Sequence, residues 1–151
     1  MRRKTASRIL ATAAVLVVSA AAFAAVPPPP PPPPPLGQID VYLVRQDSSD
    51  CQNSTVPSGN GPLVSGVVWL SRGNDGNTTV KVSLTASPNT TYQFFLKCVR
   101  QLGDITTSDE GVGEAVFTFA TNSVGNVYGF DSYPQGAPAG NKFQSAQVKW
   151  Q

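Results

Sequence analysis

The segment from Pro88 to Phe119 limits the fold most, because its side chains alternate with a period of two. Tyr92, Phe94, Leu96 and Cys98 fall on one side of an extended chain, and Gln93, Lys97 and Gln101 fall on the other. Such alternation is the mark of a strand buried on one face. A short second strand follows Gly103 (Ile105 to Thr107), then a glycine-punctuated turn, then a third strand with Phe117 and Phe119 on one face. The spacing predicts an antiparallel meander of three strands. Its apolar face needs a second sheet to cover it.

The rest of the chain reads the same way from Gly37 onward. Ile39, Val41 and Leu43 alternate with Asp40, Tyr42 and Val44, which predicts a first strand. Asp47 to Gly61 is a polar loop with Cys51 and Pro57 and no expected regular structure. Leu63 to Ser71 is more continuously apolar, which suits a central strand buried on both sides, or a bulged one. Arg72 to Asn77 contains Asp75-Gly76, a hairpin signal. Thr78 to Ala86 then places Val80, Val82 and Leu84 inward and Lys81 and Ser83 outward. Asn126 to Asp131 forms a strand with Tyr128 and Phe130 on one side, Ser132 to Asn141 a long loop, and Lys142 to Trp150 the last strand. No stretch beyond the leader has helical periodicity. The expected class is all-β, an antiparallel immunoglobulin-like β-sandwich of seven or eight strands spanning 37–151.

Two segments precede that domain. Residues 1–24 have a basic start (Arg2, Arg3, Lys4, Arg8), an apolar run from Ile9 to Ala21, and Ala22-Phe23-Ala24 at the end, which reads as a secretory signal peptide cleaved after Ala24. Lys4, Thr5 and Ala6 follow the paired arginines where twin-arginine export wants hydrophobic residues, so general secretion is expected. Residues 25–36 carry nine consecutive prolines, Pro27 to Pro35. They are expected to hold a polyproline II rod about 28 Å long, read as a tail or spacer in preference to a ligand for an aromatic-lined groove because no charged residue flanks the tract. The expected location is secreted, extracellular or cell envelope, with no membrane span after cleavage.

Charge and cysteine content narrow the chemistry. Four of the eleven cations belong to the leader, leaving seven Lys/Arg against nine Asp/Glu beyond Pro35, a net of −2. The cations are scattered, so nucleic acid is not an expected partner. Cys51 and Cys98, the two cysteines, are expected to form a disulfide that stabilises the fold by about 4 kcal/mol. The chain has no histidine, which removes the commonest general base, the Ser-His triads and most zinc and copper sites.

What remains is carboxylates and loops. Asp109, Glu110 and Glu114 cluster around a polar turn where nothing desolvates them, so a solvated hairpin tip is the stronger reading over acid–base catalysis. Asn74-Asp75-Gly76-Asn77 with Asp47 and Asp50 fits no twelve-residue calcium loop and Asp75-Gly76 already has a role as a turn, so calcium is the minority reading, and no metal site or cofactor is expected. Asn53, Asn77 and Asn89 each open a glycosylation sequon, a triplet that Asn- and Thr-rich turns also produce by chance. If the chain has a binding loop it is the one from Asp131 to Lys142, with Asp131, Tyr133 and Lys142 as its site residues and Tyr133 offering a ring plus a hydroxyl; the competing and slightly stronger reading folds Tyr133 back over the sandwich edge and leaves the prolines to stiffen a crossover.

From Val80 to Phe119 the pattern V-x-V-x-L, PNTTY-x-F-x-L, LG-x-I-T-T and G-x-G-x-A-x-F resembles exported bacterial β-sandwich domains, many without assigned function. It is more distantly similar to the neocarzinostatin-type enediyne apoproteins, which are immunoglobulin-like sandwiches that carry a chromophore in a cleft. The resemblance implies the fold. No ligand-contacting residue transfers, and those apoproteins have two disulfides where this chain can form one. The functional expectation is a non-catalytic module that binds a protein or cell-wall component. The alternatives are a small-molecule carrier with a cleft lined by Trp69, Phe94 and Phe130, and a carboxylate-based hydrolase.

Overall fold

The computed structural model describes residues 37–59, 61, 64–136 and 142–151. The expected signal peptide and proline spacer, Leu63, and 137–141 of the candidate loop lie outside them. The described chain is all-β and antiparallel: β1 (Gly37–Arg45), β2 (Val64–Arg72), β3 (Asn77–Thr85), β4 (Thr91–Leu96), β5 (Arg100–Thr106), β6 (Val112–Ala120), β7 (Val127–Tyr128), β8 (Phe130–Pro134), β9 (Phe143–Ser145) and β10 (Val148–Lys149). A short 3-10 turn, Thr121–Ser123, follows β6.

Eight strands form one sheet in the order β5-β4-β8-β9-β1-β2-β3-β6, and β7 pairs with β10 in a small second sheet. The sandwich arises because the large sheet folds over on itself. β9 pairs with β1 only through Leu43↔Ser145, Val44↔Gln144 and Arg45↔Phe143, beside an irregularity in the β1–β2 ladder between Leu43 and Val44. A bulge at such a narrow junction bends the sheet. The two halves then share one core. Val41, Leu43, Val68, Leu70, Val80, Val82, Leu84 and Phe119 from one half meet Tyr92, Phe94, Leu96, Ile105, Phe130 and Phe143 from the other. Phe94 on β4 stacks on Phe117 of β6 with ring centroids 5.3 Å apart, a direct contact between the halves.

Several expectations are corrected here. The three-strand meander does not form, because β5 pairs with β4 whereas β6 pairs along its whole length with β3. The connection docks elsewhere: Thr107 Oγ1 donates to Ser87 O (2.6 Å) and accepts from Thr90 N (3.0 Å), and Ala86 N donates to Gly111 O (2.9 Å). Those bonds steer β6 onto β3. β5 and β6, the two ends of the strand order, instead pack through side chains. A Cβ on Gly103 would lie 2.5 Å from the Phe117 ring, and one on Gly113 2.8 Å from Ile105 Cγ2, so glycine permits the close approach at both positions.

β2 is buried on one face only, with Val68 and Leu70 inward and Val67 and Trp69 half-buried outside, and the bulged alternative holds: Ser65 is skipped where Leu43 pairs with Gly66 and Val44 with Val64. The expected strand across 126–131 is two strands in different sheets, broken at Gly129. The Gly129 carbonyl accepts from Lys97 N (3.0 Å), and a Cβ there would lie 2.5 Å from Asn53 Nδ2. The last strand breaks after Ser145 in the same way: Ala146 N turns to Tyr42 O (2.9 Å), and β10 crosses to β7. The loop placed at 132–141 starts later, since Ser132, Tyr133 and Pro134 pair with Phe94, Gln93 and Tyr92 in the β8–β4 ladder. Cys98 belongs to no strand. β4 ends at Leu96, and Cys98 adopts a left-handed φ of 58° that reverses the chain.

Candidate functional site

The loop after β1 is organised by its own side chains. The Asp50 carboxylate accepts from Gln52 N (2.9 Å), Ser54 N (2.6 Å) and the Ser54 hydroxyl, the local capping pattern by which Asp competes with regular structure. These bonds, the Ser54 hydroxyl first, hold Asp50 below the usual carboxylate range. Val56 is buried and pins the loop down. Cys51 and Cys98 are joined in a disulfide, with Cα atoms 5.5 Å apart and both residues exposed, and the bond ties the loop to the end of β4.

Under this strap lies a buried polar cluster. Asn53, at a left-handed φ of 54°, is fully buried, and its Nδ2 donates to Phe130 O and Ser145 O, both at 3.1 Å. Strict alternation would turn Lys97 outward. It does face that way, on the side of Phe95, and is buried because the Asp47–Gly61 loop covers it: Nζ donates to Ser48 O (2.6 Å) and Asn53 Oδ1 (2.7 Å) and lies 3.6 Å from Asp131 Oδ1. The Lys97 and Asp131 side chains are 5% and 9% exposed. Gln144 completes the set: it accepts from Ser48 N (2.8 Å) and donates to Ser48 O (3.0 Å) and Asp131 Oδ1 (3.2 Å). Burial pushes the Asp131 carboxyl up, against the pull of Lys97 and then Lys142.

The three candidate site residues therefore separate by depth. Asp131, on β8, is buried under the Asp47–Gly61 loop as a partner of Lys97. Tyr133 is half-buried on the outer face of the same strand, its ring stacked on Phe95 at 4.8 Å with 11° between planes. Lys142, just before β9, places Nζ 5.6 Å from the Tyr133 centroid and 3.1 Å from Asp47 Oδ1. The Asp47 carboxylate raises the Lys142 ammonium above its ordinary value. Tyr133 and Lys142 thus form one surface with Phe95, which sequence reasoning passed over because it is the outward residue of a strand selected for its inward ones.

The other candidates are placed apart. Phe94 and Phe130 stack on each other inside the core at 5.2 Å, while Trp69 faces outward beneath Lys81 Nζ (5.5 Å). The structure does not bring these three into one cleft. Asp109, Glu110 and Glu114 are exposed, and Glu110 Oε2 accepts from the Ser108 hydroxyl (2.8 Å). Asp75 accepts from Asn77 N (3.0 Å) and Asn77 Nδ2 (2.9 Å), so it serves the hairpin turn with Gly76 at φ 80°. Among the described residues no group of three or more metal-ligating side chains comes together, and no helix is long and apolar enough to cross a membrane. Asn53, read from sequence only as the start of a sequon, has its amide nitrogen engaged inside the fold. No protein-family model matches the chain, and no curated protein does.

Proposed function

We propose that this chain is an exported, non-catalytic binding module whose contact surface is the Phe95–Tyr133 stack with Lys142 beside it. The observation that carries this reading is convergence: β4, β8 and the residue preceding β9 deliver two parallel rings and a cation to one outer face. Rings held by mutual stacking lose little freedom on binding, and aromatic residues with a nearby cation suit a protein or a sugar partner. The buried Lys97–Asp131 pair lies beside it on the same face and links the end of β4 to β8.

The test is retention of the purified, unreduced protein on cell-wall and culture-medium fractions of the host that exports it. Tyr133→Ala and Phe95→Ala are expected to weaken retention about tenfold or more, with circular dichroism unchanged. A second outer surface is the rival. A depression of about 380 Å³ lies beside Trp69, lined by Gln38, Ser71, Thr79 and Lys81. Wild-type retention by both aromatic variants, with loss on Trp69→Ala, would move the contact to β2.

A further inference from the structure

The cluster under the Asp47–Gly61 loop holds three reactive types of group that the contact surface does not use: a primary amine, a primary carboxamide and a carboxyl. We propose that Lys97 and Asn53 become joined by an isopeptide bond between their side chains, with Asp131 carrying the proton for the reaction. This inference stands apart from the binding role and needs no partner.

The geometry is that of reactants already assembled. Lys97 Nζ is 2.7 Å from Asn53 Oδ1 and 3.6 Å from Asp131 Oδ1. The carboxamide cannot swing away, because Nδ2 is held by Phe130 O and Ser145 O and its flank rests on Gly129. Holding two groups in contact removes most of the entropic barrier to joining them. The disulfide closes the same gap from outside, since Cys51 lies two residues before Asn53 and Cys98 directly follows Lys97. Both side chains sit where water is excluded, which protects the product from hydrolysis.

The reaction balances with these groups alone. The Lys97 ammonium passes one proton to the Asp131 carboxylate, which burial has made a better base. The freed amine attacks Asn53 Cγ, forming the N–C bond. A second proton moves from Nζ to Nδ2, the Cγ–Nδ2 bond breaks, and ammonia leaves. Nζ keeps one hydrogen, which can still be donated to Ser48 O. The driving force is physical as well as chemical: two buried charges, whose attraction barely offsets their desolvation, become a neutral amide and a neutral acid.

Mass spectrometry of the full chain after disulfide reduction tests this. The expected mass is lower by one ammonia than the sequence requires, and digestion yields a branched peptide linking the Asn53 and Lys97 segments. Lys97→Arg and Asp131→Asn are expected to show the full mass and no branched peptide. Wild-type protein at full mass overturns the proposal. So does ammonia loss that persists in Lys97→Arg, since Asn53-Ser54 would then have cyclised to a succinimide by itself. Should a variant fail to fold, the wild-type digest decides alone.

Discussion

Asp131 shows how much one position can be asked to do. Its carboxyl titrates above the ordinary 3.8 because burial outweighs the attraction of Lys97. Between the ordinary and the raised value the folded chain holds a proton that the unfolded chain has released, so this group's contribution to stability falls as pH rises through that window. Asp50 and Asp75 act in the opposite sense, since their hydrogen bonds lower them, and their contribution is lost as pH falls through their folded values. Removing Asp131 alone leaves the second trend unopposed. Asp131→Asn is therefore expected to lose stability more steeply than wild type on acidification, which urea unfolding midpoints across the acid range will show. Equal slopes would mean that Asp131 titrates alike in both states.

Among the elements, the switch between β7 and β8 is the most constrained. Gly129 leaves no room for a methyl group against the Asn53 carboxamide, whose own position is fixed by two backbone carbonyls. Gly129→Ala is expected to cost about 1–3 kcal/mol, read by thermal or chemical unfolding. Strand positions were legible in the sequence wherever one face is apolar: Val80, Val82 and Leu84 face inward as their spacing predicts, and Asp75-Gly76 makes the hairpin it signals. Partner choice was not legible. Period-two alternation in Tyr128 and Phe130 is the same whether one strand continues or two strands join different sheets, and only the Asn53 contact decides. The burial of Lys97 was hidden for a similar reason: its outward direction follows from alternation, but the Ser48 and Asn53 loop that covers it comes from far along the chain. Of the candidate site, Asp131, Tyr133 and Lys142 could be named from a segment rich in prolines and glycines, whereas the contact of Tyr133 with Lys142, the part of Phe95 and the partners of Asp131 depend on residues meeting in the fold.

For the molecule as a whole, the Cys51–Cys98 bond spans 47 residues of sequence and encloses β2, β3 and β4. A loop of that length corresponds to about 4 kcal/mol of unfolded-state restriction. With Asn53 and Lys97 also joined, a second ring nested inside the first keeps nearly all of that restriction. Reduction is then expected to lower the unfolding free energy by well under that amount, measured by denaturant titration with and without a thiol reductant. A loss near the full amount would mean that the disulfide is the sole tie.

Either tie gives the domain an unusual response to being tugged. Tension entering at Gly37 and leaving at Gln151 crosses from Cys51 to Cys98 through sulfur, so the chain between them, Val64 to Leu96 included, is not drawn out along its own length. A stretched molecule can pay out only the thread outside the ring, so the length it gains is capped short of the full contour.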